Sequence, residues 1–233
     1  TAAELARDFG QLERARTALL AALKLQPERE ELFAELAPLF QAEQLWAPLA
    51  KVLRHHIDAL PLAARPPRLI ELAEIRRNRL EDIEGAIAAV DQALELEPDN
   101  IAALELVAAM ESHERHWIEA SDAFQRLLAT GAGSPTQRRN WLIALAALFD
   151  EQLGCPDDAM PLLLDVLEQD PSDRDALRML GRVYQKKGFI DDALVVLDKL
   201  AQLSTPAEAA RVRVQQARLV STLGNDERTL LFL

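Results

Sequence analysis

Three stretches of the chain end in the same way: Ala22-Leu-Lys-Leu-Gln-Pro27, Ala93-Leu-Glu-Leu-Glu-Pro98 and Val166-Leu-Glu-Gln-Asp-Pro171. Each reads as a helix closed by a proline that cannot continue it. Twelve residues before each proline stands a small residue, Ala15, Ala86 or Ala159, expected to open the helix. One helical element is therefore reused at fixed register, which restricts the chain to folds in which like units pack side by side. A longer period lies over this one. Trp46 and Trp117 are 71 residues apart, Ala86 and Ala159 73, and Pro98 and Pro171 73. Two helical hairpins thus make a super-repeat, with the extra residues in the loops Pro61–Pro67 and Thr130–Pro135.

The clearest single unit runs from Arg174 to Thr205 and carries Leu177, Leu180, Gly181, Tyr184, Gly188, Ala193 and Leu197. Leu177, Leu180 and Tyr184 share one face of a first helix. Gly181 and Ala193 allow two helices to approach closely, and Gly188 supplies the turn between them. On these residues the chain resembles the tetratricopeptide repeat (TPR), a helix–turn–helix unit of about 34 residues. It resembles the TPR arrays of large bacterial scaffold proteins. The resemblance implies an all-α, right-handed α-solenoid of stacked antiparallel helical hairpins, about six to seven TPR-like units in one superhelical domain over 1–233. The approximate units are 1–28, 29–62, 66–99, 100–134, 137–172, 173–206 and 207–233. Pro38 falls inside the first helix of the second unit and should kink or break it, Pro161 raises a smaller doubt, and Pro48 sits harmlessly in a first turn. Thr1 and the amphipathic ending Thr229 to Leu233 suggest a piece of a longer chain.

Composition narrows function. There are 26 Lys and Arg against 38 Asp and Glu, a net charge of −12. Such a chain repels phosphate backbones, so nucleic acid is not an expected partner. Positions that a base-reading helical repeat would use, Arg68, Ala102, Trp141 and Asp175, share no chemistry. The lone Cys155 excludes an internal disulfide and points to a reducing, cytoplasmic setting. No apolar run is long enough for membrane insertion.

Core positions of a solenoid are consumed by stacking, which leaves the other face of each first helix for function. In this family that face resembles the lining of a concave groove. The stripe in the sixth unit is Asp175, Arg178, Arg182 and Gln185 with Lys186; Arg211, Val214 and Arg218 continue it in the seventh. Earlier stripes are Arg68, Glu71, Ile75 and Arg79, then Ala102, Glu105, Ala109, Ser112 and His113, then Trp141, Ala144, Leu148 and Glu151. The partner-binding candidates are Arg68, Glu71, Arg79, Glu105, Trp141, Leu148, Arg178, Arg182, Lys186, Arg211 and Arg218. Arginine forks suit carboxylates, and Trp141 with Leu148 would form an apolar anchor. The expected partner is another protein, through an acidic or amphipathic segment. The competing reading gives these charges to ion pairs with Asp and Glu of neighbouring helices.

Catalytic chemistry is not expected. His113 and His116 form H-x-x-H beside Glu111 and Glu114, two ligands where a zinc site needs three or four. His55 and His56 are adjacent and point to different sides of a helix. Cys155 lacks a neighbouring base. No cofactor, metal or catalytic residue is assigned. The alternative function is a structural spacer or self-association unit, motivated by the apolar end Leu230, Leu231, Phe232 and Leu233.

Overall fold

The computed structural model describes residues 2–222, with side chains from residue 11 to residue 221. Residues Leu230 to Leu233, and with them the self-association motif, lie outside the described residues. So does the second helix expected for the seventh unit. Among the described residues there are twelve α-helices and no strand: α1 (Ala2–Leu25), α2 (Glu30–Ala42), α3 (Trp46–Ala59), α4 (Arg65–Arg79), α5 (Ile83–Leu96), α6 (Ile101–His113), α7 (Trp117–Ala129), α8 (Pro135–Ala147), α9 (Pro156–Gln169), α10 (Arg174–Lys187), α11 (Ile190–Gln202) and α12 (Pro206–Thr222). The chain divides into two compact units, Thr1–Met110 and Glu111–Leu233.

Helices adjacent in sequence pack on one another from α1 to α5 in the first unit and from α7 to α12 in the second. In the second unit α8 also touches α10, the first helix of the next hairpin, as in an α-solenoid. The first unit is centred on Phe33, Leu36, Leu49, Leu53, Ile57, Leu69 and Leu72, all fully buried. The second has Leu142, Ala146, Ala159, Leu163, Val166, Ala176 and Leu180 at its core. Gly181 does admit a close approach: a Cβ there would stand 3.2 Å from Leu197 Cδ2. Ala86, Ala159 and Ala193 are completely buried.

The turn joining the two helices of a hairpin is the most regular feature. A left-handed residue occupies it at Gln44, Glu81, Arg115, Gly154 and Gly188, with φ of 56°, 55°, 64°, 67° and 74°. In three of the five, the amide of the following residue donates to the carbonyl five positions back, Leu45 to Phe40, His116 to Glu111 and Phe189 to Tyr184; in the other two it reaches six positions back, Asp82 to Arg76 and Cys155 to Phe149. These bonds satisfy carbonyls left over at the end of the first helix.

Three expectations are corrected. Ala15 does not open a helix; it is exposed in the middle of α1, which runs unbroken for 24 residues. Pro38 does not break α2, which continues to Ala42. Pro38 and Ala34, whose carbonyl loses its partner, are both exposed, so water can serve that oxygen while Phe33, Leu36, Ala37 and Phe40 hold the helix in place. The loop at Pro61–Pro67 is mostly ordered, with a 3₁₀ turn over Leu62–Ala64 and Arg65 already in α4. Only Thr130–Pro135 stays a true loop, with Gly131 and Gly133 at positive φ. The first helix of the fifth unit is lengthened by one π-helical turn over Leu148–Gln152.

Candidate functional site

The apolar anchor expected from Trp141 and Leu148 is not on the surface. They are 4% and 7% exposed. Helix α8 buries two sides, Trp141, Leu145 and Leu148 on one and Leu142 and Ala146 on the other. The Trp141 ring lies under the 130–134 loop, so close that a Cβ on Gly133 would be 2.5 Å from its Cη2. Burial of so large an apolar surface outweighs its use as an open wall. Both residues are therefore core, and they leave the candidate site.

The basic stripe of α10 is where the sequence places it, but most of it is matched by acids of this same chain. Arg178 Nη1 is 3.1 Å from Asp175, Arg182 Nη1 donates to Glu151 at 2.6 Å, and Lys186 Nζ donates to Asp150 Oδ1 at 2.7 Å and to its carbonyl at 3.0 Å. Asp150 and Glu151 sit in the π-helical turn, so the extra turn delivers the counter-charges. Asp150 is buried, and its Oδ2, like Arg182 Nε and Gln185 Nε2, has no hydrogen-bond partner among the described residues.

The earlier stripes are likewise engaged. Arg68 pairs with Glu30 and with Glu71 and lies over the Phe33 ring at 5.1 Å. Arg79 stacks on the Trp46 ring at 4.6 Å, tying α4 to α3. Glu105 is half-buried in α6, and Ile75 is buried. Arg79 is exposed, and Arg68 and Glu71, like Glu105, are half-buried.

The exception is the end of the second unit. Arg211 and Arg218 on α12 are exposed and form no ion pair with any described residue. Between α10, α11 and α12 lies a cavity of about 240 Å³, lined by Arg174, Arg178, Arg211, Glu208, Leu200 and Val212 among others. Three guanidinium groups thus share a cavity with one carboxylate. Arg174 Nη2 donates to Glu208 at 2.8 Å, while Arg174 Nε is unpaired. Glu208 is held below the usual carboxylate range by the Thr205 hydroxyl and amide and then by Arg174.

One strong feature went unread in the sequence. Arg139 on α8 forks onto Asp173, Nε to Oδ2 at 2.6 Å and Nη2 to Oδ1 at 2.9 Å, and reaches Asp175 Oδ2 at 2.7 Å. Asp173 also caps α10 by accepting from the amides of Asp175 and Ala176. The Arg139 fork is the first cause of a lowered Asp173 pKa, and the same bonds raise that of Arg139. Arg174 and Glu208 repeat the arrangement at the same separation of 34 residues, the period of the repeat itself. That coincidence was the available signal.

The histidines do not converge. His116 Nδ1 is 2.8 Å from Glu111 and His113 Nδ1 is 2.9 Å from Glu114, and no group of three or more ligating side chains among the described residues could hold a metal. His56 is fully buried, stacked on Phe33, with Nδ1 on the Pro27 carbonyl at 2.6 Å and Nε2 on Glu30 at 3.1 Å; His55 is exposed. Cys155 is an exposed free thiol. No described helix is long and apolar enough to cross a membrane.

No protein-family model and no curated protein matches the chain. Solved structures do. It is similar to YrrB, a TPR protein with an unusual peptide-binding site, at 21% identity and a TM-score of 0.57, over 71% of this chain and 81% of that one. It is similar to the Naa15/Naa10 structure bound to HypK-THB at 18% identity and a TM-score of 0.67, over 97% of this chain and 34% of that one. A TPR protein from Parabacteroides merdae matches at 18% identity and a TM-score of 0.51, over 97% and 85%. The chain has the tetratricopeptide-repeat fold, an all-α array of stacked helical hairpins.

Proposed function

We propose that this protein is a non-catalytic scaffold that binds an acidic or amphipathic segment of another protein on its first-helix face, at the α10–α12 end of the second unit. The observation that carries this reading is the cavity lined by Arg174 and Arg178, paired with Glu208 and Asp175, and by Arg211, which forms no ion pair with a described residue. Arginine binds carboxylate with two parallel bonds, and a partner acid entering here would be matched by Arg211 without displacing an internal pair. Leu200 and Val212 provide apolar area beside it. Arg182 and Lys186 act mainly as internal braces. The free thiol at Cys155 supports a reducing, cytoplasmic setting. YrrB, with its peptide-binding site, lends the reading analogy.

The test is an affinity capture from the native lysate with wild-type protein, with Arg178→Glu/Arg211→Glu, and with Arg115→Glu as a control in an exposed turn. A protein held by wild type and the control and lost from the double variant supports the site. Equal capture by all three moves binding elsewhere on the molecule.

A further inference from the structure

The first unit holds a second opening of different chemistry, on the side built by second helices. Helices α1 and α3 close their hairpins, and between them lies a cavity of about 220 Å³ lined by Leu20, Leu23, Lys24, Lys51, Val52 and His55. Leu23 is buried and Leu20 and Val52 are half-buried, so the floor is apolar. Lys24, Lys51 and His55 are exposed at its edge. None of the three forms an ion pair or hydrogen bond with a described residue, whereas Arg54, one turn along α3 from Lys51, is tied to Asp58 and Gln92. Leu25, next in sequence to Lys24, is 84% exposed and extends the apolar surface.

We propose that this cavity is a docking site for a protein segment in which one large apolar side chain is flanked by carboxylates. The volume is below the range of roughly 300–1,000 Å³ in which whole small molecules are enclosed, and fits an inserted side chain. Two lysine ammonium groups at the edge of an apolar floor, with no ion pair to a described acid, select an acidic flank in a chain whose own balance is strongly acidic. The site is separate from the α10–α12 cavity and uses helices on which no partner-binding residue was expected.

A random peptide display library, selected on the immobilised full chain, tests this. Bound clones are re-screened on Lys24→Glu/Lys51→Glu and on Arg178→Glu/Arg211→Glu, each checked for unchanged circular dichroism. The expected result is an enriched class with Leu, Ile or Phe beside Asp or Glu, weakened about tenfold by the lysine reversals and unaffected by the arginine reversals. Changing the apolar residue of such a peptide to Ser should abolish binding. The proposal is overturned if no clone depends on Lys24 and Lys51, if the dependent clones are basic or lack an apolar residue, or if sedimentation shows a second copy of the chain filling the site. Clones lost only from the arginine variant report on the other cavity, so the two proposals stand or fall separately.

Discussion

At the scale of single residues, the hairpin turn matters most. Five turns place a residue in the left-handed region, and only two of them use glycine. Gln44, Glu81 and Arg115 bear a Cβ that makes this conformation costly by about 1 kcal/mol or more. Arg115→Gly is thus expected to stabilise the protein by about 1 kcal/mol, and Gly188→Ala to destabilise it by a similar amount. Urea unfolding at one pH measures both, and effects of the same sign would contradict the turn geometry. Glycines can be read in a sequence and the other three cannot, since nothing local distinguishes Gln44 or Arg115 from any exposed polar residue. The recurrence at 34 to 39 residues is visible only once the backbone is known. Asp173 makes the second case. Its carboxyl pKa is lowered chiefly by Arg139, so its contribution is present above about pH 4 and is lost as pH falls through the lower folded value. Asp173→Asn should cost about 1–3 kcal/mol at pH 7 and should flatten the loss of stability between about pH 4 and 2. An unchanged acid limb in the variant would show that the Arg139 fork carries no weight.

At the scale of elements, apolar periodicity and helix-closing prolines made nearly every helix legible. Periodicity alone could not say which face a helix buries when it is covered on both. Trp141 illustrates the failure: its spacing from Leu142 and Ala146 turns it about 100–140° round α8 from them, and that side is also closed, by the loop whose Gly133 lets the indole in. Trp141→Ala should accordingly cost about 3–5 kcal/mol of stability. A thermal melt distinguishes this from an interface role, in which stability would be unchanged. The π-helical turn over Leu148–Gln152 was unreadable for a related reason, since one inserted residue leaves the apolar pattern almost intact. Pro38 shows the opposite error, a local rule overruled by packing. Pro38→Ala restores a backbone bond on an exposed face and is expected to stabilise α2 by about 1–2 kcal/mol, after the loss of proline's benefit in the unfolded chain. A destabilised Pro38→Ala protein would mean that the proline shapes α2 rather than being tolerated by it.

At the scale of the molecule, charge decides what remains for function. The sequence shows a basic stripe in an acidic chain, but not how much of it the chain neutralises itself. Arg182 and Lys186 meet Glu151 and Asp150, Arg139 meets Asp173 and Asp175, and Arg68 meets Glu30 and Glu71. Apart from Glu71, three residues from Arg68, these partners lie 31 to 38 residues away, at about one repeat, which makes them next-door neighbours only in the folded array. Among the basic residues without an ion pair to a described residue are Arg211, at the surface proposed on the second unit, and Lys24 and Lys51, at the surface proposed on the first. The most direct measurement is calorimetric titration of the captured partner's binding segment into wild-type protein and into Arg211→Glu, at low and at high salt. The account predicts that Arg211→Glu weakens binding about tenfold or more at low salt, that the gap narrows as salt is raised, and that helicity is unchanged. Equal affinity of the two proteins at low salt would contradict it.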